Sequence, residues 1–217
     1  MKLLLLITFS FAVSSAGYCG QKPSTKTETS SNPVVEMKTS LGSIEIELDQ
    51  KKAPKSVANF LSYVNEKYYD GTVFHRVIAS FMIQGGGFAV KNKMLRQKKT
   101  KAPIDNEASN GLKNKTGTIA MARTSDPNSA TSQFFINVKN NSSLDRPSPD
   151  GHGYAVFGKV IKGMDVVEKI KAVKTGVKRV MARGPSGDLS ESTFRDVPEA
   201  NVVIETVRVK QKEKSKS

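Results

Sequence analysis

Hydrophobic and polar positions change period several times along this chain. Ile44, Ile46 and Leu48 alternate with Glu45 and Glu47, a period of two that predicts a half-buried strand. Val34–Thr39 precedes it across Ser40-Leu41-Gly42, so the two runs read as a hairpin. Behind Pro54 the period lengthens, with Val57, Phe60, Leu61 and Val64 at helical spacing and proline suited to the first turn. Strand-like runs follow at Thr118–Ala122, Gln133–Val138 and Tyr154–Ile161. A second helix is predicted over Met164–Ala172, from the spacing of Met164, Val167 and Ile170 or Lys171, and Asn201–Lys210 closes the series with β-branched residues. About eight strands and two helices are expected in a mainly β domain. A closed antiparallel barrel fits, since closure removes exposed edges, but strand number alone leaves the topology open.

One run carries more chemistry than the rest: Phe74-His75-Arg76-Val77-Ile78-Ala79-Ser80-Phe81-Met82-Ile83-Gln84-Gly85-Gly86-Gly87. It reads as two short strands around a bend. Alternation puts Met82 and Gln84 on one face and Phe81 and Ile83 on the other. His75 faces away from Arg76, which favours a structural role for it over acid–base work. The glycines let the backbone turn sharply without a Cβ penalty.

Composition narrows the function classes. The 217 residues are 37% hydrophobic and 25% charged, ordinary for one globular domain with accessories. Cys19 is the single cysteine, and His75 and His152 lack ligand-type spacing, so neither an intrachain disulfide nor a metal site is expected. No cofactor motif occurs: Gly85-Gly86-Gly87 lacks the Gly-Lys-Ser/Thr ending of a phosphate loop, and Gly184-Pro185-Ser186-Gly187 meets Asp188 where a hydrolase elbow needs glycine. The net charge of +14 gathers partly in residues 91–101 and in the tail. Neither run interleaves aromatics, so both read as solvated segments, a basic loop and a basic tail, with contact to an acidic client or a membrane surface as the alternative, and no nucleic-acid partner is expected.

The chain divides into four parts. Residues 1–18 have the anatomy of an export signal: Lys2, the apolar run Leu3 to Val13, then small residues. That run is too short to span a membrane, for which about 20 residues are needed. Cleavage after Ala16 would release a soluble protein; alternatively Ala16-Gly17-Tyr18-Cys19 is similar to a relaxed bacterial lipobox with Cys19 lipidated, or Cys19 is simply a leftover thiol. Residues 19–33 form a Ser/Thr-rich tether, 34–210 the folded domain and 211–217 a basic disordered tail.

The run from Phe74 to Gly87 resembles the signature of the cyclophilin-type peptidyl-prolyl cis-trans isomerases. Gly117-Thr118-Ile119-Ala120-Met121-Ala122-Arg123, Ser132-Gln133-Phe134-Phe135-Ile136-Asn137 and Gly153-Tyr154-Ala155-Val156-Phe157-Gly158-Lys159-Val160 follow in that family's order. The resemblance implies a closed eight-stranded antiparallel β-barrel capped by two α-helices, cofactor-free, acting on proline-containing polypeptides. It implies catalytic Arg76 and Gln84, with substrate bound by Phe81, Met82, Ala122, Arg123, Gln133, Phe135, Leu144 and Tyr154. Tyr154 stands where many eukaryotic members have histidine, and Ser143 where an aromatic residue usually borders the groove. The segment from Lys174 to Pro198 is longer than the family needs and has no functional reading. Together with the leader, these features lead us to expect an exported, periplasmic or cell-envelope isomerase, monomeric, held to a membrane if Cys19 is lipidated. The alternative is a non-catalytic proline-peptide binding module or chaperone, for which an arginine in the groove would be unnecessary.

Overall fold

The computed structural model describes residues 32–147, 150–184 and 186–211. The leader, Cys19, nearly all of the tether and most of the basic tail lie outside them. The elements run β1 (Val34–Thr39), β2 (Gly42–Leu48), α1 (Pro54–Asn65), β3 (Thr72–Phe74), β4 (Arg76–Ile78), β5 (Met82–Gly85), β6 (Phe88–Lys91) and β7 (Met94–Gln97). Then come β8 (Thr118–Met121), β9 (Phe134–Asn137), a 3-10 turn (Ser142–Leu144), β10 (Val156–Lys162), α2 (Met164–Lys171), β11 (Thr175–Arg183), β12 (Leu189–Pro198) and β13 (Val202–Val209).

All thirteen described strands belong to one sheet, ordered β12-β11-β7-β6-β3-β13-β1-β2-β10-β8-β9-β5-β4. β3 and β4 are a single run broken at His75, where the partner on one side changes from β6 to β5. The His75 amide bridges the break by donating to the Gln84 carbonyl at 3.0 Å. With β3 and β4 taken as one, β13, β1, β2, β10, β8, β9 and β5 complete a ring of eight, the expected mainly β barrel. The remaining strands β6, β7, β11 and β12 extend outwards from β3.

One expectation needs correcting here, and one segment without a reading takes a definite form. The basic segment 91–101 is not simply a loop: Lys91 ends β6 and residues 94–97 form β7, and the two strands pair as a hairpin whose tip, Asn92 and Lys93, has φ of +52° and +62°. Positive φ at both central residues suits the right-handed twist of the flanking strands. Two of its cations serve the fold, Lys98 donating to the Tyr68 carbonyl and Lys101 pairing with Glu66. Residues 174–198 likewise form a hairpin, β11 with β12, and β11 lies parallel to β7. The sheet is therefore not wholly antiparallel outside the ring.

Inside the ring, Met37, Ile44, Ile46, Ile83, Phe134, Ile136 and Ile204 pack with Val57 and Phe60 of α1 and Val167 and Ile170 of α2. The apolar stripe of α1 matches its predicted spacing. Its N-terminus is covered by a loop carboxylate, Glu107, which accepts from the amides of Lys55 at 3.0 Å and Ser56 at 2.7 Å. That places an anion at the positive end of the helix dipole. A smaller apolar cluster sits beneath the extension: Val73, Phe88, Leu95, Val180 and Val197.

Candidate active site

The four strands β4, β5, β9 and β8 lie side by side, and their register sets one row of residues level: Arg76 opposite Gln84, Gln84 opposite Phe135, Phe135 opposite Ala120. Because strand side chains alternate between faces, Ile83, Phe134, Ile136 and Ile119 enter the barrel core. Met82, Phe135 and Ala120 stand on the outside instead, in a separate cluster with Val156. Phe81, Leu144, Ala122 and Tyr154 close around this outer cluster.

Phe81 corrects the alternation argument. It was expected with Ile83, but it precedes β5 and sits in the turn, its amide donating to the Ile78 carbonyl at 2.9 Å. Freed from the pleat, its side chain lies with Met82. The Asn141 side-chain amide fixes that turn by donating to the Phe81 carbonyl at 2.8 Å.

The result is a cavity of about 110 Å³ lined by Arg76, Phe81, Met82, Gln84, Ala122, Arg123, Phe135, Leu144 and Tyr154. None of these side chains is a serine, cysteine, histidine or carboxylate. Phe135 and Tyr154 meet edge to face, ring centroids 5.9 Å apart. Gln133 stands behind this wall, accepting at Oε1 from Gln84 Nε2 at 2.9 Å. It borders an adjoining recess of about 250 Å³ that shares Gln84, Ala122 and Arg123 with the groove. Ser143 lies outside the lining.

The two arginines differ in freedom. Arg123 is spent on the fold: Nε donates to the Gly153 carbonyl at 3.0 Å, one terminal nitrogen to the Thr124 carbonyl at 2.9 Å, and the other pairs with Asp150 at 2.5 Å. Its guanidinium carbon lies 4.3 Å from the Tyr154 ring centroid. Arg76 is 42% exposed, with Nε 4.0 Å from Oδ2 of Asp196. Asp196 was not anticipated, since it comes from the far hairpin and no local pattern marks it.

His75 faces the other way, under the extension, with its ring centroid 4.6 Å from that of Phe88. Burial pushes its pKa down to about 4, so the ring is neutral near pH 7. Nδ1 is buried without a hydrogen-bond partner. Two glycines of the signature are explained by close approach. A Cβ on Gly86, whose φ is +82°, would stand 2.7 Å from the Phe134 ring, and one on Gly87 would stand 2.6 Å from Gln133 Cγ.

A mainly β ring carrying an outward apolar groove with an arginine at its rim thus defines the class, and the comparisons agree with it. The family described as cyclophilin type peptidyl-prolyl cis-trans isomerase/CLD matches residues 34–209, and the chain belongs to it. It is 54% identical over 177 residues to a peptidyl-prolyl cis-trans isomerase of Streptomyces antibioticus, covering 81% of this chain and 97% of that one. To an Acinetobacter baylyi isomerase it is 64% identical over 144 residues, covering 66% and 74%. To peptidyl-prolyl cis-trans isomerase B of Escherichia coli it is 49% identical over 178 residues, covering 81% and 99%. Among solved structures, a Cryptosporidium parvum cyclophilin-type isomerase superposes with a TM-score of 0.64 at 23% identity, covering 84% of this chain and 99% of that chain. At that identity the likeness concerns the fold.

Proposed function

We propose that this peptidyl-prolyl cis-trans isomerase rotates X-Pro bonds by hydrogen-bonding the prolyl nitrogen from Arg76, and that it serves exported polypeptides. The observation that carries the mechanism is the convergence of one partly exposed guanidinium with an apolar wall that holds no nucleophile. The barrier is amide resonance, about 18–20 kcal/mol, and no bond need be made to lower it. As the C–N bond twists, the nitrogen loses planarity and gains a lone pair that a donor can meet. Arginine is always charged and carries several donors in a planar fork. Phe81, Met82, Phe135 and Leu144 hold the proline ring and keep water out, so the donor acts in a low dielectric. Gln84, backed by Gln133, orients the substrate carbonyl, while Ala122, Arg123 and Tyr154 flank its main chain.

Removing one preorganised donor of this sort costs about 10²–10³ in rate. Arg76→Ala therefore lowers kcat by that order with KM little changed, because the bond strengthens in the transition state and not in the ground state. Arg76→Lys recovers part. Turnover stays level between about pH 6 and 8, since a neutral, buried His75 does not titrate there. Exchange spectroscopy on an Ala-Pro peptide measures this. A folded Arg76→Ala with near-full turnover would move the role elsewhere.

The second half of the reading rests on residues 1–33: the leader, then Cys19 at the head of a Ser/Thr-rich tether. No helix among the described residues is long and apolar enough to cross a membrane. Acyl chains on Cys19, two or more, would hold a monomeric enzyme stably on a membrane in the cell envelope, where it meets proline-containing chains and no nucleic acid. Detergent phase partitioning places such a protein in the detergent phase and Cys19→Ala in the aqueous phase. An intact mass with a free amino terminus at Gly17 speaks against it.

A further inference from the structure

Arg76 stands on β4, a strand of three residues at one end of the sheet whose hydrogen-bonded neighbour there is β5. A charged side chain on so short an edge has much rotamer freedom to lose before it can donate in one direction. Against the open side of β4 packs β12, the strand at the opposite end of the sheet, without a ladder between them.

β12 is irregular where it matters. The β11–β12 ladder pairs Gly176 with Val197 and then Lys178 with Phe194, so Arg195 and Asp196 together face Val177. Two residues against one make a β-bulge, a device that bends a strand and re-aims a side chain. Asp196 takes up the bend at φ +59°, a left-handed conformation that aspartate and asparagine tolerate better than most residues. The flanks are fixed. Phe194 meets the Phe88 ring edge to face at 5.4 Å, and Val197 is 1% exposed. The bulge turns the Asp196 carboxylate out of its own ladder and across to Arg76. Among the described residues, no other carboxylate forms an ion pair with that guanidinium.

We infer that Asp196 is a positioning residue for Arg76: the bulged strand of the β11–β12 hairpin sets a carboxylate 4.0 Å from Nε, an ion-pair contact without a hydrogen bond, which biases the guanidinium's orientation and leaves its terminal nitrogens for the groove. This rests on the donor role proposed for Arg76. It assigns a task to a segment for which the sequence offered none, and it makes the hairpin part of the machinery of turnover.

The test is a double-mutant cycle on kcat and KM. Asp196→Asn keeps the size and the tolerance of left-handed backbone while removing the charge. It lowers kcat about two- to fivefold with KM unchanged, the range that an exposed ion pair supplies. Asp196→Gly, which relieves the backbone as well, loses the same factor. In an Arg76→Ala background, followed at high enzyme concentration, Asp196→Asn changes nothing further. A merely structural Asp196 would lower the rate equally in both backgrounds, and that result overturns the inference. So does an Asp196→Asn enzyme as fast as wild type or faster. If Arg76→Ala alone keeps full turnover, the donor role falls and the positioning role with it. If Arg76→Ala is slow and Asp196→Asn is silent, the positioning role alone falls.

Discussion

The barrel and the β11–β12 hairpin use the same backbone geometry to different ends. In β2, every second residue from Ile44 to Leu48 is buried inside the ring. β11 buries only Val180 in nine residues, and β12 only Val197 and Pro198 in ten. The ring closes on its own side chains, two helices and an aromatic centre in which Phe134 touches Phe60, Tyr69 and Phe74. The hairpin has no interior and borrows one, laying Val180, Phe194 and Val197 on Val73, Phe88 and Leu95. A two-stranded ribbon is marginal by itself in water, so its order depends on that seam and on the parallel pairing of β11 with β7. The barrel determines whether the protein folds; the hairpin determines what stands beside Arg76.

Three substitutions separate the two regions. Phe134→Ala strikes the closed ring and should cost about 3–5 kcal/mol, as loss of a large fully buried ring does. Urea unfolding measures it, and a loss below 1 kcal/mol would mean that the ring is not the stabilising unit. A smaller effect is expected from His75, which lies at the seam. Its pKa is about 4 when folded and about 6.5 when unfolded. Between those values the unfolded chain binds more protons, so stability falls as pH drops from 6.5 to 4, by about 3 kcal/mol in all. Above 6.5 this histidine adds no pH dependence. His75→Phe should remove that part of the slope in urea titrations at pH 7, 5 and 4, and parallel curves for the two proteins would contradict the burial. The smallest effect is on the hairpin. Phe194→Ala should cost about 1–2 kcal/mol, for a half-buried ring in edge-to-face contact. Hydrogen exchange should then quicken in β11 and β12 while β1, β2 and β13 keep their protection; uniform quickening would make the two regions one cooperative unit.

The same contrast explains what could be read from the sequence. The ring strands were legible because one face of each is dry, which writes a period of two into Ile44, Ile46 and Leu48. The groove was legible because its residues, Leu144 of the 3-10 turn aside, fall in the strands and turns of the family's motifs. Phe81 was misplaced on the pleat because alternation says nothing about a residue just before the strand begins. β6 and β7 read as a basic loop, since charge dominates Lys91 to Lys101 and the apolar contacts fall on few positions; Asn92 was the available turn signal. β11 and β12 went unseen because both faces of a ribbon are largely wet. No local pattern could place Asp196 beside Arg76, for that juxtaposition exists only once the ends of the sheet meet.

At the base of the hairpin the Glu199 amide donates to the Lys174 carbonyl at 2.9 Å, and the two side chains pair at 3.2 Å. The chain thus leaves the body of the protein and returns to it at almost one point. A segment hinged like that behaves as a cassette: it can be lengthened, trimmed or exchanged at its tip while the threading of the remaining strands is undisturbed. Evolution could tune the neighbour of Arg76 through this appendage without renegotiating the core, and a protein engineer could do the same.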